Sequence, residues 1–420
     1  MKITVLRLIA AILLITATSS CNKNPENPID EPVIPGFGNL VIQSQPLGAQ
    51  IWITDWLSDS LAGITPDTLF NLASGACDLR LTMPGYLPID FTAVVVGDDT
   101  TLVNISMENA PPYKIFYIKG DSMFTMAMDS LYPVVFDTGG YTSSWALTTQ
   151  IYSSPDNSML AYSNQGGIGM VIRNVSGSLV SSFQYGSRAN SFNWSHEGNK
   201  VVNGVYYDGL YVYDLATNQS TKIYDTPGQT YDHCPSYSPD DSKIAFVNHS
   251  YGGYNSWVRM INSNGSNAQS LIWHSVTGQT IYDEELDITW VAANKVLYKI
   301  YYLGIFQVTI NPGDTTEQPV GPEYAMYLRV SPDQQHYAFY RSYQTTEWGL
   351  YLGDIQNWQA TLLVQRPVKG IAWSPNSDAI AFTNDDGIWW CKLDGTLYHL
   401  VKWPLPHPYY FGSFSICVVP

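Results

Sequence analysis

The chain is short of charge, of basic residues and of cysteine. Only 13% of its 420 residues are charged, and 20 Lys and Arg stand against 36 Asp and Glu, a formal net charge of −16. A surface of that sign repels phosphate backbones and anionic headgroups, so nucleic acid is excluded as a partner, and so is charge-driven adhesion to a membrane. Catalytic signatures are missing as well. There is no Gly-x-Ser-x-Gly elbow, His-Glu-x-x-His pair, Cys-x-x-Cys pair or phosphate loop, and with them go the hydrolase, zinc-peptidase and nucleotide-hydrolysing chemistries that those spacings support. The seven histidines (196, 233, 249, 274, 336, 399 and 407) are scattered, and nothing in their spacing requires a metal; no cofactor is expected. Of the five cysteines, Cys77, Cys234, Cys391 and Cys417 show no metal-type or redox-type spacing. Buried free thiols are the expectation for these four, with Cys391 and Cys417 the one pair worth testing as a bridge.

Aromatic residues, by contrast, are plentiful: 30 Tyr, 13 Trp and 14 Phe in a chain that is 45% hydrophobic. That composition suits an all-β protein with many half-buried strand positions, and the length exceeds one compact domain.

One motif sets the architecture. "IAWSPNSDAIAFTN" (371 to 384) reads as strand, tight turn, strand, and related stretches lie around Ser154, Ser195, Ser238, Val291 and Ser331 at spacings of 41, 43, 53, 40 and 43 residues up to Ser374. Such a period holds about four short strands with their turns. Pro155, Pro239, Pro332 and Pro375 pre-set the first central position of a type I turn, and Asp156, Asp240, Asp333 and Asn376 suit the next. Ser195-His196-Glu197 lacks the proline, and Val291-Ala292-Ala293 lacks the whole signature. Each copy continues into a second hairpin, as in "DGLYVYDLATNQSTKIYD" (208 to 225). Four strands per copy, repeated radially, make a propeller.

The Ser-Pro-Asp/Asn turn followed by an "IAF" strand resembles the TolB-type, WD-like repeats of bacterial envelope proteins, over roughly residues 150 to 403. The resemblance implies fold and not function, because propellers serve many roles. Six motifs are visible. "YKIFYIK", "SMFTMAM" and "YPVVFD" (113 to 137) lack an innermost partner, and "FGSFSICVV" at the C-terminus supplies one strand. Seven blades are therefore expected, the seventh shared between the chain ends; a six-bladed ring with flanking strands is the alternative.

Ahead of the propeller, Leu40 and Ile42, then Ile51 and Ile53, alternate as strands around Pro46-Leu47-Gly48-Ala49. With Gly63-Ile64-Thr65-Pro66, Gly75 and Gly85-Tyr86, this segment resembles the PEGA domain, a small β-sandwich; Leu47 stands in place of the family's Glu, and "TDWLSDSLA" replaces its short hairpin. The resemblance implies a spacer or interaction module without catalysis.

The N-terminus, "MKITVLRLIAAILLITATSSCNKN", places Lys2 and Arg7 around an apolar run ending near Ile15. That run is too short for a membrane span and fits a secretory signal. Thr18-Ser19-Ser20-Cys21 resembles the lipobox of bacterial lipoproteins, although Thr18 replaces the usual aliphatic residue. The resemblance implies lipidation of Cys21 and residence in the bacterial cell envelope, outer membrane expected, with the membrane touched only through the lipid. The organisation read from the chain is a signal (1–20), a flexible linker (21–37), a PEGA-like sandwich (38–108) and a propeller (111–420).

Two polar or aromatic groups are binding candidates. Asp283, Glu284, Glu285 and Asp287 sit in the one long interval between motifs, where they suit a cation or a basic partner surface. Tyr251, Tyr254 and Trp257, in "SYGGYNSWV", suit contacts with peptide or sugar. The expected function is a non-enzymatic protein-binding scaffold in the envelope, the partner an envelope protein. The alternative is a glycan-binding or carbohydrate-active protein working at the propeller mouth.

Overall fold

The computed structural model describes residues 36–54, 59–120, 122–130, 132–138, 150–163, 169–185, 189–228, 230–250, 255–275, 286–342, 344–403 and 415–420. Every regular element among them is a strand.

The N-terminal unit is a sandwich of two sheets. One orders Asp67–Ala73, Phe37–Gln45 and Thr100–Ser106, and the other orders Asp59–Ile64, Gln50–Thr54, Gly75–Thr82 and Ile89–Val95. The alternation places Leu40, Ile42 and Ile51 inward, against Leu69, Leu79, Leu81 and Val95. Thr65 of the Gly-Ile-Thr-Pro stretch is buried, and its hydroxyl accepts the amides of Gly48 and Ala49 at 3.1 and 3.0 Å. The two turns that define the sequence signature thus hold each other in place.

Seven four-stranded antiparallel sheets follow, numbered 1 to 7 here. Their innermost strands are Tyr152–Ser153, Ala189–Trp194, Thr230–Tyr237, Leu286–Ala292, Ala325–Val330, Gly370–Trp373 and Ile416–Val419. Each innermost strand touches the next, and Ile416–Val419 touches Tyr152–Ser153, so the ring closes. The seventh sheet draws three strands (Lys114–Lys119, Ser122–Ala127, Val134–Thr138) from the N-terminal side of the ring and one from the C-terminus. Ile416 to Val419 pair with Tyr117 to Lys114, antiparallel.

The repeat explains itself in hydrogen bonds. In five copies the anchor serine hydroxyl accepts the amide of the residue opening the second strand: Met159, Lys200, Lys243, His336 and Ala379, each at 2.9 or 3.0 Å. Three residues beyond the anchor the backbone turns left-handed, at Asn157, Gly198, Asp241, Gln334 and Ser377. In sheet 4, where the signature is absent, Ala292 pairs directly with Lys295 across a two-residue turn. The tryptophan before the anchor joins neighbouring sheets. The indole N–H donates to a backbone carbonyl of the preceding innermost strand or its flank: Trp194 to Tyr152, Trp290 to Ser236 and Trp373 to Arg329, at 3.0 to 3.1 Å.

The sandwich docks on the outermost strand of sheet 6, Leu397–Lys402. Arg80, buried, donates through Nη2 to the carbonyl of His399 at 2.7 Å and that of Leu400 at 3.2 Å, while Nη1 pairs with Asp90. Lys402 bridges Asp59 and Asp90 of the sandwich, and Glu108 accepts from Lys392 and from the Tyr398 hydroxyl.

All four described cysteines are free thiols; Cys391 packs between sheets 5 and 6, and Cys417 between sheets 7 and 1.

Candidate binding surfaces of the ring

Of the seven innermost strands, only those of sheets 3 and 4 carry a carboxylate, Asp232 and Asp287. Neither is a free acid. Asp287 accepts from Arg329 Nη1 at 3.0 Å and lies 3.4 Å from Nζ of Lys299, which is fully buried. Arg329 then reaches across the ring, where its Nη2 donates to Gln150 Oε1 at 2.7 Å; the Tyr152 hydroxyl donates to the same oxygen at 2.6 Å. Residues of sheets 4, 5 and 1 are thus tied together, and the two cations outweigh the single carboxylate. Cys234, whose thiol burial pushes up to about 12, donates weakly to the Leu286 carbonyl and is no nucleophile at neutral pH.

The sequence reading of Asp287 as a cation-binding acid is therefore corrected. The acid is committed to Lys299 and Arg329, because the strand register points it into the ring beside both. Asp283, Glu284 and Glu285 lie outside the described residues, as do Tyr251, Tyr254 and Cys21.

Asp232 is buried and accepts from Thr226 and, at 2.7 Å, from Asn248. Desolvation outweighs these bonds and raises its pKa to about 6. Beside it in sequence, His233 packs with its ring centre 4.8 Å from that of His249, the planes tilted at 44° and both rings buried. Burial lowers His249 to about 4 and His233 well below its ordinary value, so both are neutral imidazoles in most of the physiological range. Among the described residues no three His, Cys, Asp or Glu side chains converge as metal ligands.

These histidines floor an aromatic cluster. Tyr231 lies edge-on to His249 at 5.0 Å, Tyr206 packs on Tyr231 and His233, and Tyr207 packs on Tyr231 at 4.5 Å. Tyr207 is 53% exposed at a left-handed φ of 56°, a conformation that costs a non-glycine residue energy. Trp257, one of the sequence candidates, is half-buried in the third strand of sheet 3 opposite Trp273, which is 57% exposed. Arg259 lies 5.9 Å from the Trp257 ring and is held by the Tyr224 hydroxyl. Sequence reasoning missed Tyr207 and Trp273. The signal for Tyr207 is a bulky residue inside the tight turn "VYYDG", where Asn or Gly is the ordinary choice.

Comparison with known proteins agrees with this architecture. Residues 37–111 match the PEGA domain family. This segment is a PEGA domain. No curated protein matches the chain as a whole. Among solved structures, a functionally unknown protein from Desulfotomaculum acetoxidans is similar at a TM-score of 0.50 and 12% identity over 73% of this chain and 99% of its own. TolB from Acinetobacter baumannii is similar at 0.43 and 13% over 74% of this chain and 83% of its own. An oligogalacturonate lyase from Vibrio parahaemolyticus is similar at 0.49 and 10% over 73% and 89%. Identities this low speak to fold alone: an all-β chain in which a PEGA domain precedes a propeller.

Proposed function

We propose that the chain is a non-enzymatic lipoprotein of the bacterial cell envelope, anchored through Cys21 in the outer membrane, whose propeller binds an envelope protein. The observation that carries the binding role is the aromatic surface on sheets 2 and 3. Tyr207 and Trp273 each expose more than half their area; Tyr207 is backed by the Tyr231 ring, and Trp273 stands in a strand opposite Trp257. Rigid, half-exposed Tyr and Trp are the residues that dominate protein interfaces, because they bury much area at little cost in side-chain entropy. The left-handed backbone at Tyr207 is consistent with this reading, since strain of that kind is tolerated where a side chain must be presented. Against catalysis stands the state of Asp287, which is engaged by two cations, Lys299 and Arg329. The envelope location rests on the signal-like residues 1–20 and Cys21.

The test is affinity capture from solubilised envelope with the mature protein, a Tyr207→Ala/Trp273→Ala variant and an Asp283→Ala/Glu284→Ala/Glu285→Ala variant. A protein captured by the parent and lost only from the aromatic variant supports the proposal. Capture unchanged by the aromatic substitutions and lost from the acidic variant moves the site, and the absence of any captured protein refutes the scaffold role.

A further inference from the structure

Where the PEGA domain meets sheets 6 and 7 there is a cleft of about 460 Å³. Its walls come from both domains. The sandwich contributes Trp52, fixed by donation from its indole N–H to Thr82 at 2.8 Å; the propeller contributes Tyr117, Lys119, Phe124, Tyr132 and Trp403. Three of the rings are packed on one another, with Tyr117 between Phe124 and Trp403. Tyr117 and Phe124 stack at 5.4 Å and 16°, and Trp403 follows at 6.4 Å and 32° from Tyr117.

Two polar groups in the cleft have no partner among the described residues. The Tyr117 ring is only 3% exposed, yet its hydroxyl makes no hydrogen bond. Lys119 faces no carboxylate, and its Nζ lies over the Trp403 ring at 4.8 Å. Partial burial lowers the pKa of this ammonium. The other cations at the cleft are already matched: Arg80 by Asp90, and Lys402 by Asp59 and Asp90. Three cations meet two carboxylates, so the excess charge belongs to Lys119. In a chain of net charge −16 an uncompensated, half-desolvated cation on an aromatic wall is a docking point for an anion.

We infer that this interdomain cleft binds an acidic saccharide, one uronic-acid unit or two sugars, with the carboxylate at Lys119 and the sugar's C–H surface against the aromatic residues that line the cleft. The volume lies at the small-molecule end of pocket sizes and is too little for a folded partner. A pyranose offers an apolar C–H face for stacking and hydroxyls at its edge, which match the Tyr117 hydroxyl and the polar flank of Gln50 and Thr82. A single ammonium suits one carboxylate, whereas a phosphate dianion is ordinarily met by several donors. This site is separate from the protein-binding surface proposed above, which lies on sheets 2 and 3.

The test is calorimetric titration of the mature protein with cellobiouronic acid, with cellobiose, which differs in lacking the carboxylate, and with N-acetyltryptophan as an aromatic carboxylate that is not a sugar. Cellobiouronic acid is expected to bind at least tenfold more tightly than either. Lys119→Met should erase the preference over cellobiose. Tyr132→Ala, at an exposed position where the fold does not depend on the side chain, should weaken both sugars. The inference is overturned if cellobiouronic acid does not bind at millimolar concentration, if both variants bind it as the parent does, or if N-acetyltryptophan binds more tightly.

Discussion

Residues 415–420 hold the ring shut, and removing them is the sharpest test of the architecture. Ile416, Val418 and Val419 are each at least 95% buried, so the truncation strips three aliphatic side chains from the packing between sheets 6, 7 and 1. At about 1.5–3 kcal/mol per fully buried aliphatic side chain, that is roughly 5–9 kcal/mol. The strand's ladder to Lys114–Lys119 goes too, and so does the bond from the Ile151 amide to the Ser415 hydroxyl. A domain's whole stability is about 5–15 kcal/mol. The truncated propeller is therefore expected to lack a cooperative thermal transition and to be cut rapidly by protease. A graded version keeps the strand: Ile416→Ala should cost about 2–5 kcal/mol, seen as a fall of about 3–8 °C in the propeller's melting midpoint by calorimetry. If the truncated chain melts within about 3 °C of the parent, the ring does not depend on this strand and the shared seventh sheet carries no structural weight.

Four further outcomes follow from the same contacts. Asp287→Asn strands the buried Lys299 without its carboxylate and should cost about 3–5 kcal/mol by urea denaturation, whereas adding Lys299→Met should recover most of it. The raised pKa of Asp232, about 6 against the ordinary 3.8, means that the folded state holds this proton more tightly than the unfolded. Stability should therefore fall as pH rises from about 4 to 6, by on the order of 3 kcal/mol from this group, a slope that Asp232→Asn removes; equal slopes in the two proteins would contradict it. Ser374→Ala leaves the amides of Asp378 and Ala379 without their acceptor and should cost about 1–3 kcal/mol, read from the chemical-denaturation midpoint. Arg80→Ala should split one calorimetric transition into two by uncoupling the domains, and a single unshifted transition would show that the docking is incidental.

The ring was legible because its repeat is a local device. A serine hydroxyl that accepts an amide five residues on, a proline that fixes the turn and a small residue that lets sheets approach leave the same trace in each copy. Sheet 4 was harder to see because its turn is made by two residues that need no signature. The sharing of sheet 7 could be counted from spacing, but its register rests on contacts between chain ends more than 290 residues apart, such as Val419 with Lys114. Asp287 was misjudged for a related reason. In sequence it belongs to an acidic run, while in space its neighbours are Lys299, one strand on, and Arg329, one sheet on. A charge run reports the sign of a segment, not the sign of what the fold packs against it. The cleft was invisible to the sequence, since its two walls are separated by about 65 residues at Trp52 and Tyr117 and by some 350 at Trp52 and Trp403.

The docking of the PEGA domain bears on what the whole chain can do. A spacer would need only a covalent link to the propeller, and the outermost strand of sheet 6 would then be an open edge with unpaired carbonyls. Instead Arg80 spends both arms of its guanidinium on that edge and on Asp90, and it is buried in doing so. The guanidinium would keep Asp90, which lies in its own domain, but separating the domains would take it away from both carbonyls of the outer strand at once. The orientation of the two domains is thereby fixed, and the aromatic wall between them is preorganised rather than assembled on demand. A preformed site of that kind loses little entropy on binding, which is what a small, weakly held sugar requires if it is to be held at all.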